Sequence, residues 1–478
     1  MLLGISLLAC LSAQAAPKFN FSDIVAPGLD VMICDLDGDG LKDLVLMDDT
    51  NLSIFYQDRA KGFTREPQQT YHLAPRPCVV WPAKLGKPAE SLLVMNSDGV
   101  TELDFTNRTG PPVVRQIIRQ PTIIPDASED TNAMQLSLSV ETGRDWPLLL
   151  VPAADGIRVW QHREEWVQAQ IIGHAIDASQ WPVPEKSGYA TSLELDLSVG
   201  DVNGDGRDDL MVRRNKAGQS KTYSLYLQQT NGLFALEPAL TYADKTEQFS
   251  WLCWVDLNRD GKVDLVKSVW LDEPSFVPGV PSGKVLVNTY IADEHGRIPT
   301  EPQQVFRKND FKASLPVVDV DGDGFPDLVL GYNHIASRDD LTKMITAKQV
   351  DFSLKFYFYR PGVGFPKEAD CQHEVVLHLD RAEVQEGWAL DFQRFARLGG
   401  DFNSDGKTDL LVREHDDEIF VYSFVSREKG FSLKPALRFS CPEQIDGWEV
   451  KDLNNDGVSD LIVKLGKKNA YRIFISQK

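Results

Sequence analysis

The sequence predicts an all-β fold, a β-propeller of eight four-stranded antiparallel blades, and three observations carry that expectation. A nine-residue acidic pattern, D-x-[DN]-x-D-G-x-x-D followed by Leu, begins at Asp35, Asp201, Asp256, Asp319, Asp401 and Asp452. Short apolar or alternating stretches surround each copy, four to a unit, which is the make-up of a propeller blade. Two further stretches keep the apolar frame without the acidic residues, which brings the repeat count to eight, with seven as the alternative.

The chain begins with apolar residues from Leu2 to Ala9, which lead to Ala13-Gln14-Ala15, a small-x-small site of the kind a signal peptidase cuts. Residues 1–15 therefore read as a signal peptide, short and without a basic first segment, and 16–478 as a single propeller domain. Export follows, to an extracellular, periplasmic or cell-surface location. Cys10, after Leu7-Leu8-Ala9, loosely resembles a lipoprotein box, and lipid anchoring there is the less favoured alternative. No later stretch has the length of a membrane span. Five cysteines remain beyond the cleavage site (Cys34, Cys78, Cys253, Cys371 and Cys441), an odd number without metal or redox spacing, so no disulfide framework is expected. The net charge of -20 argues against nucleic acid and anionic membranes. Much of it sits in the acidic repeats, where six divalent ions would offset twelve charges.

Within each repeat, oxygen-bearing side chains at positions 1, 3, 5 and 9 and a backbone carbonyl at 7 can converge on one hard cation, while Gly at 6 permits the sharp turn. The expected ligand sets are Asp35, Asp37, Asp39, the Leu41 carbonyl and Asp43, then Asp201, Asn203, Asp205, the Arg207 carbonyl and Asp209. Next come Asp256, Asn258, Asp260, the Lys262 carbonyl and Asp264, then Asp319, Asp321, Asp323, the Phe325 carbonyl and Asp327. The last two are Asp401, Asn403, Asp405, the Lys407 carbonyl and Asp409, and Asp452, Asn454, Asp456, the Val458 carbonyl and Asp460. Calcium suits such flexible oxygen cages better than magnesium, and about six ions are expected. A plain Asp-Gly turn explains one copy but not four oxygen-bearing side chains at fixed offsets six times over. An EF-hand would need Glu at position 12, which is instead Leu46, Val212, Lys267, Leu330, Val412 or Val463.

The strands follow in order. In the first unit an apolar strand leaves the loop at Asp43, a third strand covers Leu52–Tyr56, and a Gly62-Phe63 turn leads to a fourth. Third strands recur at 224–227, 354–358 and 419–423, with turns at Gly232, Gly364 and Gly430. Pro67, Pro238, Pro366 and Pro435 follow these turns, as suits an outer strand where a missing donor costs little. The degenerate units fall at about 78–119 and 134–173, where Asp98-Gly99 and Asp155-Gly156 mark the turns. The last unit has only three strands, ending with 470–475. Its fourth is expected from 19–25, closing the ring.

The six loops with their strands resemble the FG-GAP/VCBS repeats of integrin-α-type calcium-binding β-propellers, and the resemblance covers nearly all of 16–478. It implies the fold and the ions, and leaves function open, because the scaffold is shared by adhesion receptors, lectins and some polysaccharide lyases.

In such a blade the acidic loops take one face, and the connections between second and third strands and between blades take the other. The long connections 268–283 and 332–343, with 120–134, 174–189 and 380–388, are therefore where a ligand would be held. Trp181, Tyr189, Trp270, Tyr332, His334 and Arg338 are the candidate ligand-binding residues, able to stack on sugar rings or anchor a protein. The alternative is that such aromatics fill the seams between blades. His373-Glu-Val-Val-Leu-His378 has one residue too many for a zinc-protease helix and alternates like a strand. No catalytic residues are assigned. The expected function is a calcium-stapled, monomeric, non-catalytic adhesion or carbohydrate-binding module for a glycan or an extracellular or envelope protein. The alternative is a polysaccharide lyase-like enzyme in which His334 and Arg338 act as base and uronate clamp.

Overall fold

A computed structural model describes residues 17–477 except 29, 49–50, 74–77, 125–132, 143–144, 174–178, 183–188, 193–196, 215–220, 247, 249, 272–283, 308–310, 315–316, 334–341, 343–345, 379–394 and 467–468. Eight four-stranded antiparallel sheets follow one another along the chain. Blades 1 to 7 span 30–72, 78–119, 139–172, 197–244, 250–307, 311–378 and 396–440, and blade 8 joins 445–477 to 18–25. The ring is thus eight-bladed and closed by its N-terminal strand. Among the described residues no helix is long and apolar enough to cross a membrane.

First strands of neighbouring blades touch, Asp30–Cys34 against Cys78–Lys84 and Ser139–Val140 against Leu197–Gly200, which places them at the centre. Second strands such as Asp43–Met47 are buried on both faces, and so read as continuous apolar runs rather than alternating ones. Their side chains form seven apolar clusters that between them cover all eight seams, so each blade is held by its neighbours rather than by a core of its own. The two stretches that lack the acidic pattern form blades 2 and 3 on the same plan. Blade 2 gains a fifth strand, Ala133–Gln135, parallel to its innermost one. The histidine-bearing segment is the strand Cys371–His378, whose burial alternates along its length. All five described cysteines are free thiols.

Polar pins cross the seams as well. Lys267 of blade 5 donates to Asp244 of blade 4 at 2.6 Å, both side chains almost fully buried, and Ser250 donates to the same carboxylate. Burial alone would raise the Asp244 pKa, but the donors Lys267, Ser250 and Thr246 outweigh it and hold the carboxyl at about 2. The folded value lies below the unfolded ~3.9, so the stabilisation is complete above about pH 4 and is lost as pH falls towards 2. Wild type should exceed Asp244→Asn in unfolding free energy by about 2 kcal/mol or more at pH 6, and the gap should narrow between pH 4 and 2. A gap independent of pH in denaturant titrations would refute this pin.

Candidate metal centres

Each acidic loop joins the first strand of its blade to the second, and all six share one internal geometry. The position-1 carboxylate accepts from the N–H of the Gly at position 6, at 2.7 to 3.0 Å in the six copies. Position 3 accepts from the N–H of position 5, and position 5 from the N–H of position 7, as in Asp39 to Asp37 and Leu41 to Asp39. These short side-chain-to-backbone bonds curl the chain around its own oxygens. The Gly at position 6 has φ between 79° and 91° in every copy, the left-handed region that Gly alone enters without cost.

Position 4 is also left-handed, and there the residue varies: Gly38, Gly204, Arg259, Gly322, Ser404 and Asn455. Its role is contact with the next loop. Ser404 Oγ donates to the Gly457 carbonyl at 2.8 Å, and Asn455 Nδ2 to the Gly40 carbonyl at 2.6 Å, across the junction between the chain's two ends. A Cβ on Gly322 would lie 2.5 Å from the Gly406 carbonyl oxygen. Position 8 bonds back to the preceding loop, Thr408 to Val320 and Asp319, Ser459 to Asp401 and Lys42 to Leu453. The loops of blades 6, 7, 8 and 1 therefore form one hydrogen-bonded belt.

Position 9 does something the ligand pattern alone does not reveal. Asp43 is fully buried and accepts from the Leu36 N–H at 2.8 Å and the Gln57 N–H at 2.9 Å. Asp264, Asp327 and Asp460 repeat this with Leu257 and Ala292, Val320 and Tyr359, and Leu453 and Ser476. Asp209 does so with Val202 and Gln228, and Asp409 accepts from Phe402. This carboxylate ties the loop to the end of the third strand of its own blade. Burial pushes the Asp43 and Asp327 carboxyls up to about 7, and Asp209, Asp264, Asp409 and Asp460 up to about 6. The backbone donors pull them back only partly.

Carboxylate oxygens of Asp35, Asp37 and Asp39, and of Asp319, Asp321 and Asp327, lie within 4.8 Å of one another, near enough to share one ion. The two blades without an acidic loop fill the same place differently. In blade 2 the Lys87 ammonium lies 2.6 Å from Asp104 and 3.3 Å from Glu102, an internal cation. In blade 3 Trp146 stacks on His162 at 3.6 Å with Trp166 edge-on. Gly86 of blade 2 closes on that indole, since a Cβ there would lie 2.4 Å from it.

Residues 201–266 and 401–463 match the FG-GAP-like repeat. Each matched span begins on the first Asp of one loop and ends in the strand after the next loop. The chain carries FG-GAP-like repeats. Its FG-GAP units are therefore offset by one strand from its blades, and one unit straddles each of the seams between blades 4 and 5 and between blades 7 and 8. No curated protein sequence matches the chain. Among solved structures it is similar to a lectin of Agrocybe aegerita described as recognising non-reducing terminal N-acetylglucosamine, at 14% identity and TM-score 0.43, over 76% of this chain and 84% of that one. It is also similar to BBS1N in complex with ARL6DN, at 11% identity and TM-score 0.39, over 97% of each chain.

Of the six candidate ligand-binding residues, the structure describes Trp181, Tyr189, Trp270 and Tyr332. Tyr332 is buried in the seam between blades 5 and 6, with the Lys355 ammonium 4.6 Å from its ring centroid, and Trp270 packs against the same cluster. Both fill a seam. Trp181 and Tyr189 lie on the paired strands Ser179–Pro182 and Tyr189–Ser192. His334, Arg338, the connection 272–283 and the leader with Cys10 lie outside the described residues. A cavity of about 410 Å³ beside blades 7, 8 and 1, lined partly by the apolar Val31, Ile33 and Ile462, was not legible in the sequence. Asp30, Gln135, Arg397, Trp448, Glu449 and Lys464 line it, scattered over the chain with no shared motif.

Proposed function

We propose that the chain is an exported, calcium-stapled β-propeller that acts as a non-catalytic binding module for a glycan or an extracellular or envelope protein. The observation that carries this reading is the set of six acidic loops, which share one internal geometry around clustered oxygens and four of which are hydrogen-bonded to one another in a belt. Its donor set fits a hard divalent cation. The position-1, -3 and -5 side chains with the position-7 carbonyl would hold it, and position 9 would close the set from within the blade. A bound ion supplies positive charge that offsets three or four clustered carboxylates, in a purely structural role.

With that face engaged in holding the ring together, recognition falls to the opposite face and the cavity beside blades 7, 8 and 1. There Arg397 stacks over Trp448 and donates to its carbonyl beside Glu449. Charged and aromatic groups converging on a cavity suit a polar ligand such as a sugar. The test is titration of glycans and surface proteins against the calcium-loaded protein, with capture from the native environment in calcium and in chelator. Calcium-dependent capture of a defined glycan or protein is expected. Turnover of an acidic polysaccharide, seen as unsaturated products absorbing near the ultraviolet, would overturn the non-catalytic reading.

A further inference from the structure

The six loops fall into two chemical classes. Position 3 is Asp in the loops that begin at Asp35 and Asp319 and Asn in the other four. In the Asn loops the amide donates within the loop to the position-5 carboxylate, as in Asn203 to Asp205 at 3.2 Å, Asn258 to Asp260 at 3.3 Å, Asn403 to Asp405 at 3.3 Å and Asn454 to Asp456 at 3.2 Å. In the Asp loops the donor is an arginine from the next blade. Arg108, between the third and fourth strands of blade 2, donates from Nε to Asp37 and from Nη2 to Asp39 at 2.8 Å. Arg427, in the same connection of blade 7, donates from Nε to Asp321 and from Nη2 to Asp323.

A third residue completes each set. The Arg108 guanidinium stands 5.3 Å from the ring centroid of Tyr56, and that of Arg427 stands 5.4 Å from the ring centroid of Phe358. Tyr56 and Phe358 occupy one structural position, immediately before the residue whose N–H binds the position-9 carboxylate. In the Asn loops that position holds Leu227, Ile291, Ser423 or Ile475. Asp at position 3, an aromatic at the end of the third strand and an arginine in trans therefore occur together, twice, on blades that are not neighbours. A planar, doubly donating guanidinium on an aromatic face is a preorganised counter-charge.

We propose that Arg108 and Arg427 act as built-in cations that set the ion affinity of these two loops, dividing the six calcium sites into four tight and two weak ones. The proposal rests on the calcium reading above. Each arginine neutralises the outer oxygens of the position-3 and position-5 carboxylates, the groups an incoming ion would otherwise hold. Filling these two loops therefore loosens a clamp between blades 1 and 2 or blades 6 and 7, whereas in the Asn loops Arg207 and Lys262 reach only the position-5 carboxylate, from within the same loop, and filling those loops opens no clamp between blades.

Native mass spectrometry of the full chain against buffered free calcium counts the ions directly. Wild type should load four ions and then two more at about tenfold or higher free calcium, the size expected for giving up one charge-assisted hydrogen bond of the guanidinium clamp, since the extra carboxylate and the arginine cancel in net charge. Arg108→Gln should leave one weak site, and Arg108→Gln with Arg427→Gln none. Asp37→Asn with Asp321→Asn takes one ligand charge from each loop while Arg108 and Arg427 stay on Asp39 and Asp323, and should push the same two sites to still higher free calcium, a check that holds even if the arginine variants fold poorly. Six ions loading in wild type with a single midpoint that none of these variants changes would overturn the proposal and leave the calcium reading intact. A wild-type chain that takes up no ions would overturn both.

Discussion

Stripping divalent ions from the protein with excess chelator should lower its melting temperature by on the order of 15 °C, and restoring calcium should return it. An ion that binds only the folded chain stabilises it by mass action, about 2.7 kcal/mol per site at a hundredfold excess over Kd. Six such sites outweigh the usual ~5–15 kcal/mol margin of a folded protein. Against an unfolding entropy of roughly 2.1 cal/mol/K per residue, that sum corresponds to the stated shift. Without the ion, each loop holds three or four carboxylates whose mutual repulsion adds to the cost of burying the position-9 group, as Asp35 and Asp37 do at Asp43. The belt spreads the loss, since Ser404, Asn455, Thr408 and Ser459 each bridge two loops. Differential scanning calorimetry with and without chelator is the check, and coincident traces would refute the structural role of the ions.

How much of this was legible in the sequence follows from what each feature needs. The blade count could be read because the loops and strands are local patterns, and even the two blades without an acidic loop kept their Gly turns and apolar second strands. The closing strand could be read because blade 8 visibly lacked one. The inner geometry of the loops was legible at positions 1, 3, 5 and 6, where chemistry restricts the residue. It was not legible at position 4, where Arg259, Ser404 and Asn455 share only a backbone conformation and a neighbour. Arg108 and Arg427 stand 71 and 106 residues from Asp37 and Asp321, and no periodicity joins a residue to a partner in the next blade. Aromatics in the connections offered no signal separating a ligand platform from a seam plug; Tyr332 proves to be buried in the cluster between blades 5 and 6, and Trp270 partly buried against it.

Deleting residues 18–25 should lower the melting temperature by 10 °C or more, on the order of the loss of one outer strand with its seam, or yield aggregated protein. The strand pairs with Ala470–Gln477 along its whole length, Lys18 opposite Gln477 and Val25 opposite Ala470, and is the fourth strand of blade 8. Ile24 is fully buried in the cluster between blades 8 and 1, and Phe19 meets Phe439 edge-on at 5.0 Å in the one between blades 7 and 8. Arg472 grips Asp23 with two donors, at 2.7 and 2.8 Å, and stacks over Phe21. Ser22 accepts from the Phe63 N–H of blade 1. Removing the strand therefore uncovers an apolar seam and leaves the eight-residue edge of 470–477 open to pairing with another chain. Adding a synthetic 17–26 peptide to the truncated protein separates the two effects, because β-strand addition should restore both the melting temperature and the monodisperse profile in light scattering. A truncated chain that melts like wild type and stays monodisperse would show that the ring holds without its closing strand.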